Sequence, residues 1–472
     1  MPARKRTCLW SALLLLLSAG VGHAAERPNI VFILADDLGW SDVGFNGGKA
    51  YKHFYETPHI DRLAAEGMAF TRAYSGGPNC MPTRACLISG MYTPRTQMWT
   101  PAARSKGPVD KMKLLVPRRG DKQGDVFPSK ESLDPAVVSI AEVLNDAGYA
   151  TARLGKWHLG PDPQGFGVSD LDGRGATSGK FYGNVNVHEW LTDASCRFID
   201  GHRDEPFFLY LAHWDVHTPL RAREAEKQKF DKKLASGKWD RKWNTTYAAM
   251  IKAVDDSVGR IRAKLDELGL TENTLVVFSS DNGGTPVTTM KPLKGAKGSL
   301  FEGGVRVPTC MAWPAVIEPG TTCDTPITSV DFMPTFAELA SVALPSDQPV
   351  DGTSIVPLFR GEPLAERSIF WHFPLYLLGN GAGRVLPVFG TDEYLWRAVP
   401  ASAVVRGDWK LLHFFEDDSI ALYNLAEDTG ESTNLASERP EVAARLFEEL
   451  KAWQAETDAV IPDQPNPKFK AR

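Results

Sequence analysis

Four short apolar runs, each followed at once by polar side chains able to do chemistry, constrain this 472-residue chain more than any other feature of it. They are NIVFILA (Asn29–Ala35), YATARLG (Tyr149–Gly155), PFFLYLA (Pro206–Ala212) and TLVVFSS (Thr274–Ser280). Runs this short and this apolar suit strands covered on both faces. Amphipathic helical patterns lie between and after them, at 59–67, 139–148, 247–269 and 331–340, several closed by glycine as at a helix C-terminus. Strands alternating with helices predict an α/β architecture: a large mixed, mostly parallel sheet sandwiched by helices.

The first run leads into Asp36 and Asp37, the second into Lys156, Trp157 and His158, the third into His213 and His217, and the fourth into Asp281 and Asn282. Ligands of open α/β sheets bind beyond the carboxyl ends of the strands, so one edge of the sheet is expected to carry the whole site. Asp36, Asp37, Asp281 and Asn282 offer hard oxygen donors, which suit Ca²⁺ or Mg²⁺ rather than Zn²⁺. Either pair alone also reads as a turn or a helix cap. Two pairs at the ends of two apolar strands favour a cation. Arg84, Lys156, His158, His217, Lys294 and Lys297 add positive charge and transferable protons, and the glycines of KGAKGSLFEGGVRVP (294–308) allow that segment close approach to a ligand. A divalent cation with a ring of basic donors describes a pocket for a small tetrahedral oxyanion, phosphate or sulfate.

The N-terminus carries Arg4, Lys5 and Arg6, an apolar run around Leu13–Leu17 and small residues near Ala24 and Ala25. It reads as a signal peptide over 1–25, which places the mature protein outside the cytoplasm, periplasmic or secreted, and no run is long enough to span a membrane. A net charge of −5 argues against nucleic acid as a partner. The length suggests two domains: a large α/β domain over 26–365, and a C-terminal α+β subdomain over 366–472 with a small antiparallel sheet and a terminal helix. Two segments read as insertions, 100–129 and 379–397. The basic stretch 106–119 and the aromatics Tyr376 to Trp396 are expected to flank the pocket and stack on sugar. Cys310 and Cys323 are candidates for a disulfide, and Cys86 and Cys196 read as buried thiols.

Cys80 lies in GPNCMPTRACLISG at 77–90, which reads as a turn and then a helix with Pro82 in its first turn. Cysteine-dependent phosphatases need Arg six positions after the nucleophile, and here that position is Cys86. A Cys80–Cys86 disulfide is also disfavoured, because residues six apart on one helix point to different faces.

These blocks resemble the sulfatase family of the alkaline phosphatase superfamily. CMPTR matches Cys-x-Pro-x-Arg, the pattern in which the family's cysteine is oxidised to Cα-formylglycine by a separate formylglycine-generating enzyme. ILADDLGWSDVG, GKWHLG, VHTPL, SDNGG, KGSLFEGGVRVP and LYNLAEDTGESTNLA follow in family order, from Pro28 to the late 430s. Met81 and Thr83 depart from the commoner Ser or Thr and Ser at the variable positions, and His213 in HWDVHTPL is an extra candidate for substrate contact, outside catalysis. The resemblance implies an alkaline phosphatase-like fold and one Ca²⁺, with Mg²⁺ the alternative, held by Asp36, Asp37, the modified Cys80, Asp281 and Asn282. It implies catalytic roles for Cys80, Arg84, Lys156, His158, His217 and Lys297. One hydroxyl of the hydrated aldehyde attacks sulfur with help from Asp281, His217 or Lys297 protonates the leaving alcohol, and a covalent sulfate intermediate forms. His158 then deprotonates the second hydroxyl, which expels sulfate. The implied substrate is a sulfated small molecule or glycan, with aryl sulfates as artificial substrates. The alternatives are a phosphate or phosphonate ester hydrolase of the same superfamily and a catalytically silent Ca²⁺-dependent glycan-binding protein.

Overall fold

The main sheet joins eight strands. They are β1 (Asn29–Ala35), β2 (Met68–Phe70), β3 (Ala150–Gly155), β4 (Val168–Asp170), β5 (Phe207–Ala212), β6 (Thr274–Ser280), β7 (Thr309–Ala312) and β8 (Thr321–Cys323), in the spatial order β4-β3-β5-β1-β6-β7-β2-β8. The computed structural model describes residues 27–46, 54–101, 104–118, 126–170, 184–239, 243–379 and 396–470. The expected signal peptide and parts of both expected insertions lie outside them. Only β7 runs against its neighbours, so the sheet is mixed and mostly parallel. Two of the four apolar runs become strands at the expected bounds, and the other two start one residue later. The short strands β2, β4, β7 and β8 and the helices Val187–Gly201 and Glu224–Ala235 carry weaker patterns and were not expected.

Side-chain alternation distributes each central strand between two cores. Ile30, Phe32 and Leu34 of β1 join Phe208, Tyr210, Leu275 and Val277 beneath the helices Cys80–Ser89, Ile140–Asp146 and Phe332–Leu339. Val31, Ile33 and Ala35 join Leu209, Leu211, Val276 and Phe278 beneath Pro58–Ala65, Val187–Gly201 and Thr245–Glu267. Both faces are covered, which explains why the runs are apolar without alternation.

A second sheet is antiparallel, with Ser368–Phe373, Ala401–Arg406, Trp409–Phe414 and Ser419–Asn424 in spatial as well as chain order. One face, with Val404, Leu411 and Leu422, packs on Leu446 and Leu450 of the helix Pro440–Glu456. The other, with Trp371, Ala403 and Leu412, packs on Phe301 and Val305 of the main body. Lys410, fully buried, crosses this junction to Glu302 (2.9 Å) and Glu431 (3.0 Å). Its charge fastens the second sheet to the segment that carries Lys297.

The sequence expectation for Cys310 and Cys323 is corrected: both are free thiols. Cys310 pairs with Ala69 on one side of β2, and Cys323 pairs with Phe70 on its other side. A whole strand separates them, roughly 9–10 Å at the usual strand spacing, beyond the reach of a disulfide. Cys80, Cys86 and Cys196 are also free; Cys86 is buried as expected, whereas Cys196 is only half-buried.

Candidate active site

Strand register builds the site. Gly155 lies opposite Ala212, Ala212 opposite Leu34, and Ala35 opposite Ser280. The next residues, Lys156, His213, Asp36 and Asp281, therefore leave four adjacent strands at one edge. The turn after β1 is clamped from β5: the Asp36 amide donates to the Asp215 carbonyl (3.0 Å), and the Val216 amide donates to the Asp36 carbonyl (2.8 Å).

Three carboxylates and three cations meet at this edge in pairs. Lys156 Nζ donates to Asp36 Oδ2 (2.5 Å), and Lys297 Nζ to Asp37 Oδ1 (2.6 Å). Arg84 donates to Asp281 Oδ2 through Nε (3.0 Å) and Nη2 (2.7 Å), and through Nη1 to the Lys156 carbonyl (2.6 Å). Asn282 Nδ2 donates to Asp37 Oδ1 (2.8 Å), and the Asp37 amide to Asp281 Oδ1 (3.2 Å). Cys80 is the first residue of its helix, and its Sγ lies within 4.8 Å of carboxylate oxygens of Asp36 and Asp281. His217 Nε2 is 3.7 Å from Asp37 Oδ2. All of these side chains are buried except His217, which stays partly exposed.

Pairing and burial set the charges. Burial opposes the Asp36 carboxylate, but Lys156 and its neighbours outweigh it and hold the group below the usual range. Burial and the nearby Asp36 charge push Asp281 up to about 6, against Arg84. Burial opposes the charge on Lys297, yet Asp37 keeps that lysine protonated. Burial lowers His217. It also raises the Cys80 thiol, so an unmodified Cys80 is a poor thiolate nucleophile.

Three buried oxygens, Asp36 Oδ1, Asp37 Oδ2 and Asn282 Oδ1, have no hydrogen-bond partner among the described residues. Orphaned acceptors in so charged a place are costly unless a cation takes them. This donor set fits a hard divalent ion such as Ca²⁺ or Mg²⁺.

Other expectations shift. Lys294 is drawn to the second sheet, where Nζ donates to the Glu431 carbonyl (2.9 Å) and lies 4.3 Å from the Phe301 ring centre. His213 is 0% exposed, and burial lowers it to about 3; as a neutral ring in the interior it is no surface for substrate. Tyr376 and Trp396 pack on each other at 4.9 Å in a buried cluster, so neither face is open for sugar stacking. His158 is half-buried two residues beyond Lys156, with φ 69°.

Asp42 was not singled out from the sequence, since it reads as one more loop carboxylate. It is fully buried behind the Asp36–Asp37 turn, accepting from Tyr247 Oη (2.7 Å), Thr288 Oγ1 (2.7 Å) and the Gly39 amide (3.1 Å). Burial still dominates and raises it to about 7 from an ordinary 3.8. A raised carboxyl favours the folded state while protonated, and that contribution is lost as pH rises from about 4 through about 7. The melting temperature of Asp42→Asn relative to wild type is therefore expected to improve from pH 5 to pH 8. A difference that stays flat across this range would contradict the assignment.

The family model described as Sulfatase matches residues 28–342. The chain belongs to the sulfatase family. A second model, for the C-terminal part of N-sulphoglucosamine sulphohydrolase, matches 296–456 of this sulfatase. A "Sulfatase" of Formosa agariphila is 31% identical, covering 92% of this chain and 90% of that relative. Human arylsulfatase A is 30% identical over 96% of this chain and 93% of its own. N-acetylgalactosamine-6-sulfatase of Sus scrofa is 29% identical over 97% and 91%. Among solved structures, Ps i-CgsB in complex with k-i-k-neocarrahexaose superposes with a TM-score of 0.70 at 28% identity, over 93% of this chain and 95% of that one. This sulfatase is a sulfuric ester hydrolase with the expected alkaline phosphatase-like sheet.

Proposed function

We propose that this sulfatase hydrolyses sulfate monoesters on a sulfated glycan, using Cys80 after its conversion to Cα-formylglycine by a formylglycine-generating enzyme. The observation that carries the reading is the convergence of three orphaned oxygens and three ion-paired cations around Cys80 at one sheet edge. The names of the N-acetylgalactosamine-6-sulfatases, and the oligosaccharide in the solved relative, support a glycan. The charge state supports sulfate over phosphate. The three cations and the three carboxylates balance, so a divalent ion bound among them would leave a modest positive surplus that suits the single charge of a sulfate ester. Catalysis falls to 26–365, with 366–472 as a supporting subdomain, and the basic-then-apolar N-terminus sends the chain to the periplasm or beyond.

A Ca²⁺ or Mg²⁺ on Asp36, Asp37, Asp281 and Asn282 would supply Lewis-acid charge to the nucleophile and to a sulfate oxygen. The hydrated formylglycine would supply two hydroxyls on one carbon, one to attack sulfur and one to expel sulfate. The remaining chemistry belongs to the chain's own side chains. Arg84 and Lys156 orient Asp281 and Asp36 and keep the nucleophile's surroundings positive. Lys297, held protonated by Asp37, stabilises the sulfate oxygens as charge shifts onto them. His217, lowered by burial, releases a proton readily and serves the departing alcohol oxygen. His158 acts as the base for the second hydroxyl.

Lys297→Ala is expected to lose about 10²–10³ in kcat on every sulfate ester. His217→Ala is expected to lose a similar factor on a glycan sulfate, and much less on an aryl sulfate, whose phenolate leaves without a proton. Steady-state kinetics on both substrates read this directly, and equal losses for His217→Ala would remove its role as proton donor. The reading as a whole is tested by the mass of the peptide containing residue 80 and by paired assays of aryl sulfate, aryl phosphate and a panel of sulfated sugars. An unmodified thiol in fully active protein, or a preference for phosphate, would overturn it.

A further inference from the structure

The described parts of the two segments expected as insertions lie against each other. Leu377–Leu378 and Trp396–Ala398 form a two-stranded antiparallel ribbon. Trp396 Nε1 donates to the Lys111 carbonyl (3.3 Å), and the Leu114 amide donates to Tyr376 Oη (3.1 Å). The ribbon thus sits on the 104–118 segment. Its inner end covers Gly298, which has φ 97°; a Cβ there would lie 2.6 Å from Arg397 Cδ and 3.0 Å from Leu377 Cδ1. Gly298 is a site residue in all but side chain. Its amide donates to the carbonyl of Pro78, two residues before Cys80 (2.8 Å), and the preceding Lys297 holds Asp37 (2.6 Å). The Arg397 side chain therefore packs on Gly298, in the segment that is hydrogen-bonded both to the turn before Cys80 and to Asp37.

Arg84, Lys156 and Lys297 each have a carboxylate within 2.7 Å. Arg397 is half-buried, and among the described residues its guanidinium has neither a hydrogen bond nor an ion pair. Burial weighs against its charge, and Asp37 supports that charge from a distance. A guanidinium drawn out of water without a partner is costly, and its planar fork matches a carboxylate or sulfate. The sulfate to be removed is already served by Lys297 and by the cation that the orphaned oxygens call for.

We infer that Arg397 is a specificity-determining residue that anchors a second anionic group, a sulfate or carboxylate, carried by the glycan beside the sulfate that is cleaved. This rests on the sulfate-ester reading of the pocket and adds to it the substrate class: a polyanionic rather than a singly sulfated neutral carbohydrate.

Binding to Cys80→Ala protein separates this from turnover. Calorimetry would compare a sulfated disaccharide with a uronate, a disulfated disaccharide, and a monosulfated neutral disaccharide. With Arg397→Gln, affinity for at least one dianionic sugar is expected to fall about 10–100-fold, while the monosulfated sugar changes less than about twofold. Which dianionic sugar loses affinity identifies the second anion. Arg397→Lys restores part of the binding by charge without the fork, and unchanged melting temperatures show that both variants fold. An equal loss for all three sugars, no loss for either dianionic sugar, or no binding of any sugar when Arg397 is present overturns the inference. Hydrolysis of a singly charged aryl sulfate by the unaltered protein reports separately on the reaction itself.

Discussion

Replacing Cys80 with alanine is expected to abolish sulfate ester hydrolysis, by at least about 10⁴-fold in kcat, while leaving the protein folded. The side chain is 1% exposed and small, so its loss opens little space and costs about 1 kcal/mol or less. The structural cost is minor because Cys80 begins its helix rather than linking it to another element. The chemical cost is large because the carboxylates and cations of the site converge on this one position. Cys80→Ser sharpens the test. A serine hydroxyl can attack sulfur once, but it has no neighbouring hydroxyl to expel the sulfate. It is expected to give at most one equivalent of alcohol and then stop. Sustained turnover by Cys80→Ser, or normal activity of Cys80→Ala, would remove position 80 from the chemistry. Circular dichroism and melting curves on the same samples show whether the fold is retained.

Arg84→Ala is expected to be the most damaging single change to stability, and to impair turnover as well. Arg84 and Asp281 are each 0% exposed, and the guanidinium makes two bonds to the carboxylate and one to the Lys156 carbonyl. Removing the arginine leaves a buried carboxylate without its main counter-charge, which costs about 3–5 kcal/mol. That loss is to be read from denaturant melts in the presence of a chelator. Excess Ca²⁺ should return part of it, because a cation on Asp281 takes over some of the charge. Arg84→Lys keeps the charge but loses the two-pronged contact and the carbonyl bond, so it is expected to recover stability only in part and little turnover. A chelated Arg84→Ala protein as stable as wild type would show that the ion pair does not hold this edge together.

Local chemistry was readable because it is written in short, contiguous stretches. β1 and β6 appear at the expected residues because strands buried on both faces must be apolar throughout, a pattern that few other elements share. Asp36, Asp37, Lys156, Asp281 and Asn282 could be grouped in advance because parallel strands present their carboxyl ends at one edge. The short strands β2, β4, β7 and β8 were not legible. They run only three or four residues and owe their structure to a neighbour rather than to their own pattern.

Distance in the chain hides the rest. No local pattern distinguishes Lys294 from Lys297, yet the second sheet claims one and Asp37 the other. Cys310 and Cys323 read as a pair until register sets them on opposite sides of β2. Tyr376 and Trp396 look like a sugar platform until the fold buries them, and His213 looks like a contact residue until it becomes the end of a central strand. By itself the sequence determined the α/β class, the edge where the site lies and the residue types that suit an oxyanion and a hard cation. Only the tertiary structure decided which charges pair and, among the described residues, which oxygens are left over and which guanidinium remains without a partner. Strand and motif patterns are local, whereas electrostatic pairing depends on which side chains meet across hundreds of residues.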